Sequence, residues 1–274
     1  MSKINYLIMI YLIYTTVIVY FSKENLKNRR IYYGINIFIL MWELWPCLTQ
    51  VPSNMVGIIY DWSPLLFLPI FYRETELLTT SLERETYDEG FIQLENQYFP
   101  HVMNIHRHNL ANWTLLSEYL HLCYLSFYVL IYGVPLYFYL KQDILMFNES
   151  IFMILLLLFS CYITHGLIPV CGPRNIFEKI QDHRSQGFFF RTVHKILENG
   201  STHGTAFPSG HTGIASIMLL MTWSAHLSLF YYILPIGIGL IISTIYGRFH
   251  YMLDVIFGLL YAFITFLITL KVYH

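Results

Sequence analysis

The sequence predicts an all-α integral membrane protein, and three observations carry that reading. Of 274 residues, 56% are hydrophobic and only 12% are charged, against about a quarter charged in an ordinary soluble domain. The mean hydropathy is positive. The charges are confined to a few segments, and between them run apolar stretches close to the ~20 residues that a helix needs to cross the hydrocarbon. A net charge of −1 leaves no electrostatic footprint for nucleic acid.

In chain order, the stretches that qualify are 5–21, 31–48, 115–140, 151–170, 212–227, 229–246 and 251–272. The first is long enough to remain as an anchor rather than a cleaved signal. A further stretch, 56–72, is shorter and holds Asp61, Pro64 and Pro69. It spans, re-enters or lies at the surface, so the helix count is seven or eight. Tyr and Trp gather near the ends of these runs, where amphipathic rings suit the membrane interface. Cys47, Cys123, Cys161 and Cys171 make no Cys-x-x-Cys pair and read as packing residues.

Two polar segments interrupt the apolar pattern. Residues 73–112 are acidic in their first half (Glu74, Glu76, Glu83, Glu85, Asp88, Glu89) and read as including an interfacial helix. Residues 171–207 are mixed in sign and lead into Pro208-Ser209-Gly210-His211. No internal repeat breaks the chain, which divides into 1–112, membrane helices with an interfacial segment, and 113–274, a catalytic membrane core within one structural unit. Lys23, Lys27, Arg29 and Arg30 stand against one Glu in the loop 22–30, which places that loop in the cytoplasm. With 56–72 not crossing, segment 171–207 then lies on the exoplasmic or periplasmic face; a crossing 56–72 would flip the parity.

Histidine chemistry comes from two distant places. Runs 212–227 and 229–246 are of similar length, so a short turn between them returns the chain to the face it left. His211 and the segment Arg248–His250 therefore meet at one membrane face, and Arg174, which follows run 151–170 and enters the same loop, joins them. His250 and Asp254 are four apart, on one helical face. Asp254 can accept the Nδ1 proton of His250 and leave Nε2 to attack phosphorus, the logic of an oriented nucleophile. An Asp one turn into a membrane helix costs ~2.5–3.5 kcal/mol on insertion scales, and a partner such as His250 is the natural reason to keep it. Ser209 and Gly210 open a helix whose free amides suit an oxyanion. His211 is placed to protonate a leaving oxygen and later activate water. Arg174 and Arg248 offer planar forks for phosphate oxygens. Taken singly, Pro-Ser-Gly-His reads equally as an N-cap and His-x-x-x-Asp as a helical pair; their convergence with Arg174 makes the case.

Weaker candidates are Glu118 with His121, expected to pair internally or face the acidic segment, and the intramembrane Glu43 and His165. His194 and His203 either contact a head group or are solvated. A zinc site from His203, His211 and His250 has no supporting ligand spacing.

At these residues the chain resembles the type 2 phosphatidic acid phosphatase superfamily of membrane phosphatases and phosphotransferases. Gly204-Thr-Ala-Phe-Pro-Ser-Gly-His211 is similar to its central motif, Gly247-Arg-Phe-His-Tyr-Met-Leu-Asp254 with Gly258 to its last, and Gly172-Pro173-Arg174 to its first. The form Arg-aromatic-His-Tyr-x-x-Asp is most similar to the inositol phosphorylceramide synthase-like branch. The resemblance implies a six-helix core, extended here by one or two N-terminal helices, with its site on the non-cytoplasmic face. It implies His250 as nucleophile, Asp254 as its partner, His211 as acid–base, phosphate held by Arg174, Ser209, Gly210 and Arg248, and no metal or other cofactor. Two departures stand out: Leu167 replaces the usual Lys of the first motif, and Arg248 precedes His250 by two residues instead of six. A site short of one cation suits a phosphodiester or bulky lipid better than a small dianionic monoester.

The expected function is hydrolysis of a lipid phosphate, phosphatidic acid-like, through a phosphohistidine. The alternative is transfer of a phospho-head group to an alcohol or lipid acceptor. A non-enzymatic lipid-binding protein on the same fold is the reading from another class, and the intact His211, His250 and Asp254 speak against it.

Overall fold

Lipid offers the backbone no hydrogen-bond partner, so each apolar stretch must satisfy its own amides and carbonyls as a helix. The computed structural model describes residues 2–22, 26–49, 55–80, 85–107, 114–181 and 183–274. Lys23 and Glu83, two of the charges noted above, and residues 108–113 lie outside them. The helices are α1 (Lys3–Phe21), α2 (Leu26–Leu48), α3 (Met55–Leu66), α4 (Leu68–Thr80), α5 (Asp88–Tyr98), α6 (Pro100–Arg107), α7 (Thr114–Leu140), α8 (Ile144–Leu167), α9 (Pro173–Ile176), α10 (Phe188–Gly200), α11 (Gly210–Ala225), α12 (Leu227–Tyr246) and α13 (Met252–Tyr273). Seven helices of the described residues are long and apolar enough to cross a membrane: α1, α2, the α3–α4 pair as Met55–Glu76, α7, α8, α12 and α13. The chain is an integral membrane protein on that ground.

The run 212–227 becomes α11, which at 16 residues is roughly 24 Å long. It is the central helix, packed by α7, α8, α12 and α13, with Ile214, Ala215, Ile217, Met218 and Met221 fully buried. Around it α8 presents an almost continuous buried surface from Phe147 to Tyr162.

The ambiguous stretch 56–72 belongs to a longer crossing that breaks only at Phe67. Pro69 has no N–H to give the carbonyl four residues back. That carbonyl, of Leu65, is instead met by the Tyr132 hydroxyl at 3.3 Å, so the helix bends without burying an orphan acceptor. At one end Trp62 packs on Phe147 and Tyr139, with centroids 5.2 and 5.7 Å apart. At the other, Tyr72 Oη accepts the Thr202 amide at 3.0 Å.

Helix directions follow from such contacts. The bundle has a polar end, where α8 finishes and α11 begins, and an opposite end. Lys3 of α1 bonds the Val272 carbonyl and lies over the Tyr273 ring at the opposite end, so α1 climbs toward the polar end. α2 returns, placing Glu43 against Asn5 at 2.6 Å. Arg29, bonded to the Tyr20 carbonyl, and Arg30 therefore sit at the polar end. The stretch 56–72 belongs to a helix pair long and apolar enough to cross, and the basic loop shares its end of the bundle with segment 171–207.

The start of the polar segment 73–112, with Glu74 and Glu76, ends α4, and its later described residues form α5 and α6, short helices lying under the start of α13 and the end of α12. Glu95 of α5 accepts the Leu253 amide at 2.9 Å, one of the four amides that a helix start leaves without an internal partner.

Candidate active site

Three turns converge at the polar end. The first, 168–172, joins the second through main-chain bonds: the Ala206 amide donates to the Val170 carbonyl at 2.8 Å, and the Val170 amide to Gly204 at 3.3 Å. The third carries His250 between α12 and α13. Gly172 at φ +83 lies so close to it that a Cβ would stand 2.7 Å from the Phe249 carbonyl oxygen. Gly258 does the same for α13, where a Cβ would meet the Ser209 carbonyl at 2.6 Å. Only glycine permits either approach.

His250 is buried, and its Nδ1 lies 2.9 Å from the Ala206 carbonyl oxygen and 3.3 Å from Asp254 Oδ2. Both partners are acceptors, so Nδ1 carries the proton and Nε2 keeps its lone pair. Asp254 thus shares with Ala206 the orienting role expected of it alone. Its Oδ2 also takes the Tyr251 amide at 2.8 Å, which caps α13. Burial first, and then the Arg174 charge, push the His250 pKa down to about 4, against the pull of the Ala206 carbonyl. The imidazole is therefore neutral near pH 7.

His211 starts α11 with its ring 5.8 Å from that of His250, centroid to centroid. Tyr124 stacks on it at 4.4 Å and Phe127 packs at 4.2 Å, which holds the ring in place. Both histidines, Gly210 and Arg174 line one cavity of about 360 Å³, whose other walls are largely aromatic and aliphatic, with Tyr128 and Leu158 among them. Arg174 donates to Ser201 Oγ at 2.9 Å. His165 also lines this cavity, its Nε2 3.2 Å from the Pro208 carbonyl.

Two expected phosphate contacts lie elsewhere. Ser209 is fully buried: its hydroxyl accepts the Thr212 amide at 3.2 Å as the N-cap of α11, and its own amide donates to the Asp254 carbonyl at 3.0 Å. Arg248 adopts φ +60, a left-handed conformation unusual for a residue with a Cβ. Its guanidinium donates to the Glu178 carbonyl at 3.0 Å, and it faces a second cavity of about 390 Å³ with Asn175, Glu178, Lys179 and His194. Arg174 borders both cavities.

Glu118 does not pair with His121. Its carboxylate caps α10 instead, accepting the Phe189 and Phe190 amides at 3.0 and 3.1 Å, while His121 Nδ1 meets the Ser117 carbonyl at 2.7 Å. His203 rests on Cys171, 3.1 Å from Nε2 to Sγ. His194 stacks on Phe190 at 4.0 Å.

The residue that sequence reasoning missed is Asp88, read there only as part of an acidic run. It is buried, and accepts the Cys171 and Gly172 amides at 2.9 and 3.0 Å and the Tyr251 hydroxyl at 3.2 Å. No local pattern marks a carboxylate whose partners lie more than eighty residues away.

No curated protein and no solved structure matches the chain. A family model, that of the PAP2 superfamily, matches residues 89–268, well over half of the chain, and the chain belongs to that superfamily. Its members are phosphoesterases, and the membership supports a lipid-phosphate activity of phosphatase or phosphotransferase type.

Proposed function

We propose that this member of the PAP2 superfamily is a lipid-phosphate phosphatase that works through a phosphohistidine on His250. The observation that carries the reading is the pair of histidines on one largely apolar cavity, His250 with Nδ1 engaged and His211 at the first turn of α11.

In the first step Nε2 of His250 attacks phosphorus, and the bond to the leaving lipid oxygen breaks as His211 gives that oxygen a proton. In the second, His211 takes a proton from water, the oxygen attacks phosphorus, and the bond to His250 breaks to release phosphate. Arg174 and the amides at Gly210 hold the phosphoryl oxygens. The Ala206 carbonyl and Asp254 stabilise the charge that grows on His250 in the first step. Ser209 serves by capping α11. The aromatic walls take the lipid chain.

A second reading is favoured by the polar cavity beside Arg174. A head group or acceptor alcohol there lies across phosphorus from the lipid, which suits a phosphodiester and transfer to an alcohol. Assay of purified protein against lipid phosphates and phosphodiesters, with and without an acceptor alcohol, separates the two. Release of inorganic phosphate alone removes transfer; a phosphorylated acceptor lipid removes simple hydrolysis. An acid-labile phosphoprotein trapped in wild type and absent from His250→Ala is the expected sign of the intermediate.

The catalytic end faces the cytoplasm in this reading. Arg29, Arg30, Arg73, Lys179 and Lys195 lie at that end, whereas Lys3, Lys141 and Lys271 mark the opposite one, and lysine and arginine favour the cytoplasmic side. The exoplasmic expectation, drawn from a non-crossing 56–72 and from the family resemblance, is the competing orientation. In sealed cells, Lys141→Cys should react with an impermeant maleimide and Lys195→Cys only after permeabilisation; the reverse pattern overturns the orientation.

A further inference from the structure

We infer that Asp88 is a positioning residue for phosphoryl transfer, setting the distance between Arg174 and His250; this rests on the function proposed above. Asp88 opens α5, in a segment that carries none of the catalytic motifs, one residue before the family match begins. Its carboxylate reaches two of the three converging turns at once. Oδ2 takes the Cys171 amide at 2.9 Å and Oδ1 the Gly172 amide at 3.0 Å, in the turn that carries Arg174 two residues later. Oδ1 also takes the Tyr251 hydroxyl at 3.2 Å, from the residue after His250. An ionised carboxylate has the acceptor sites for all three donors, and hydrogen bonds to a charged group are the stronger kind.

The clamped parts have no slack. Gly172 lies against the Phe249 carbonyl closely enough to exclude a Cβ. The same turn continues into Val170, which is bonded to Ala206, whose carbonyl orients His250 Nδ1. A path of three hydrogen bonds and one peptide link thus runs from Asp88 through Cys171, Val170 and Ala206 to the nucleophile, and a shorter one runs through Tyr251. Tyr251 is itself fully buried, between Phe91 at 5.9 Å and His106 at 6.1 Å, so its hydroxyl cannot swing away to water. Among the described residues no cation bonds the Asp88 oxygens, and Asp88 does not line the histidine cavity. Its action therefore goes through the two turns, not through substrate.

Asp88→Asn keeps shape and volume but turns a carboxamide NH2 toward at least one backbone N–H, so that amide loses its acceptor and the turn shifts. A misplacement of about 1 Å in a reacting group costs on the order of 100-fold in rate. The test uses full-length purified protein with phosphatidic acid in mixed micelles, and measures kcat, KM and the thermal midpoint for wild type, Asp88→Asn, Arg174→Lys and the double variant. We expect kcat/KM to fall about 100-fold in Asp88→Asn, and Arg174→Lys to cost much less in the Asp88→Asn background than in wild type, since both act on the same contact. Wild-type kcat/KM in Asp88→Asn overturns the inference, and so do losses that simply multiply in the double variant. Should Asp88→Asn fail to fold, Tyr251→Phe removes only the hydroxyl donor: a loss of about 10-fold, again non-multiplicative with Arg174→Lys, supports the role, and full activity overturns it. His250→Ala in the same assay separates the two levels. Wild-type activity there sinks the phosphohistidine reading and this inference with it, whereas an inactive His250→Ala beside a fully active Asp88→Asn sinks only the positioning role.

Discussion

The polar end and the N-terminal helices satisfy their polar groups in different ways. At the polar end, carboxylates reach backbone: Asp88 holds the Cys171 and Gly172 amides, Glu95 the Leu253 amide and Glu118 the Phe189 and Phe190 amides. Among α1 to α4, side chains reach side chains: Asn5 bonds Glu43 and Tyr60, Asn36 bonds Thr15 and Thr16, and Trp42 bonds Ser63. A membrane helix satisfies its own backbone, so polar groups between helices need only set register. The turns at the polar end have amides that no helix satisfies, and a carboxylate that accepts two of them fixes where the turn sits. The first kind of contact tunes stability, the second geometry, and substitutions should divide along that line.

The largest effect falls on the nucleophile itself. His250→Ala should lower phosphate release on the order of 10⁶-fold, the scale seen when an oriented nucleophile is removed; release at the wild-type rate would sink the mechanism. Next comes Glu118→Ala, which uncaps α10 at about 1 kcal/mol. Here α10 should exchange amide hydrogens faster and kcat/KM should drop, because Val193 and Leu197 of α10 line the histidine cavity. Unaltered exchange at α10 would break the assignment of Glu118 as its cap.

The N-terminal contacts should behave otherwise. Asn5→Leu leaves Glu43 buried without its amide partner, at a cost of about 1–3 kcal/mol, and Asn36→Val costs less, about 0.6 kcal/mol for a typical interhelical bond in a membrane. Both should lower the midpoint in detergent while kcat/KM stays within about twofold of wild type. A tenfold loss of kcat with an unmoved midpoint in either variant would erase the contrast between the regions.

The remaining effect, on stability alone, is in pH. His106, His194 and His250 all have pKa values lowered to about 4, chiefly by burial. Between that value and the ordinary 6.5, the unfolded chain binds more protons than the folded one, so stability rises with pH through the window and is lost as pH falls through it. The thermal midpoint should therefore be lower at pH 5 than at pH 7.5; a flat or inverted profile would show these histidines to be charged in the fold.

Much of the molecule was legible in the residues. The runs 5–21, 229–246 and 251–272 return as α1, α12 and α13 within a few positions, because crossing lipid is a demand on local composition. The meeting of His211, His250 and Arg174 followed from helix lengths alone. Three features did not. The helix through 56–72 was obscured by Pro64 and Pro69; the carbonyls that they leave free, of Tyr60 and Leu65, are met by Ser63 and by Tyr132 of another helix. Arg248 read as a phosphate ligand by spacing, but a left-handed backbone turns it to the second cavity. Ser209 read as a ligand and is consumed as a cap.

What the sequence by itself determined is the membrane character, the helical architecture and the histidine pair, since each depends on hydropathy or on spacing along one helix. Only the tertiary structure decided which groups hold that pair in place. Asp88, the Ala206 carbonyl and Gly172 act through hydrogen bonds and close approaches between residues far apart in the chain. Such contacts exist only once the turns are packed together, because the partners share no local pattern and meet only where the fold removes both from water.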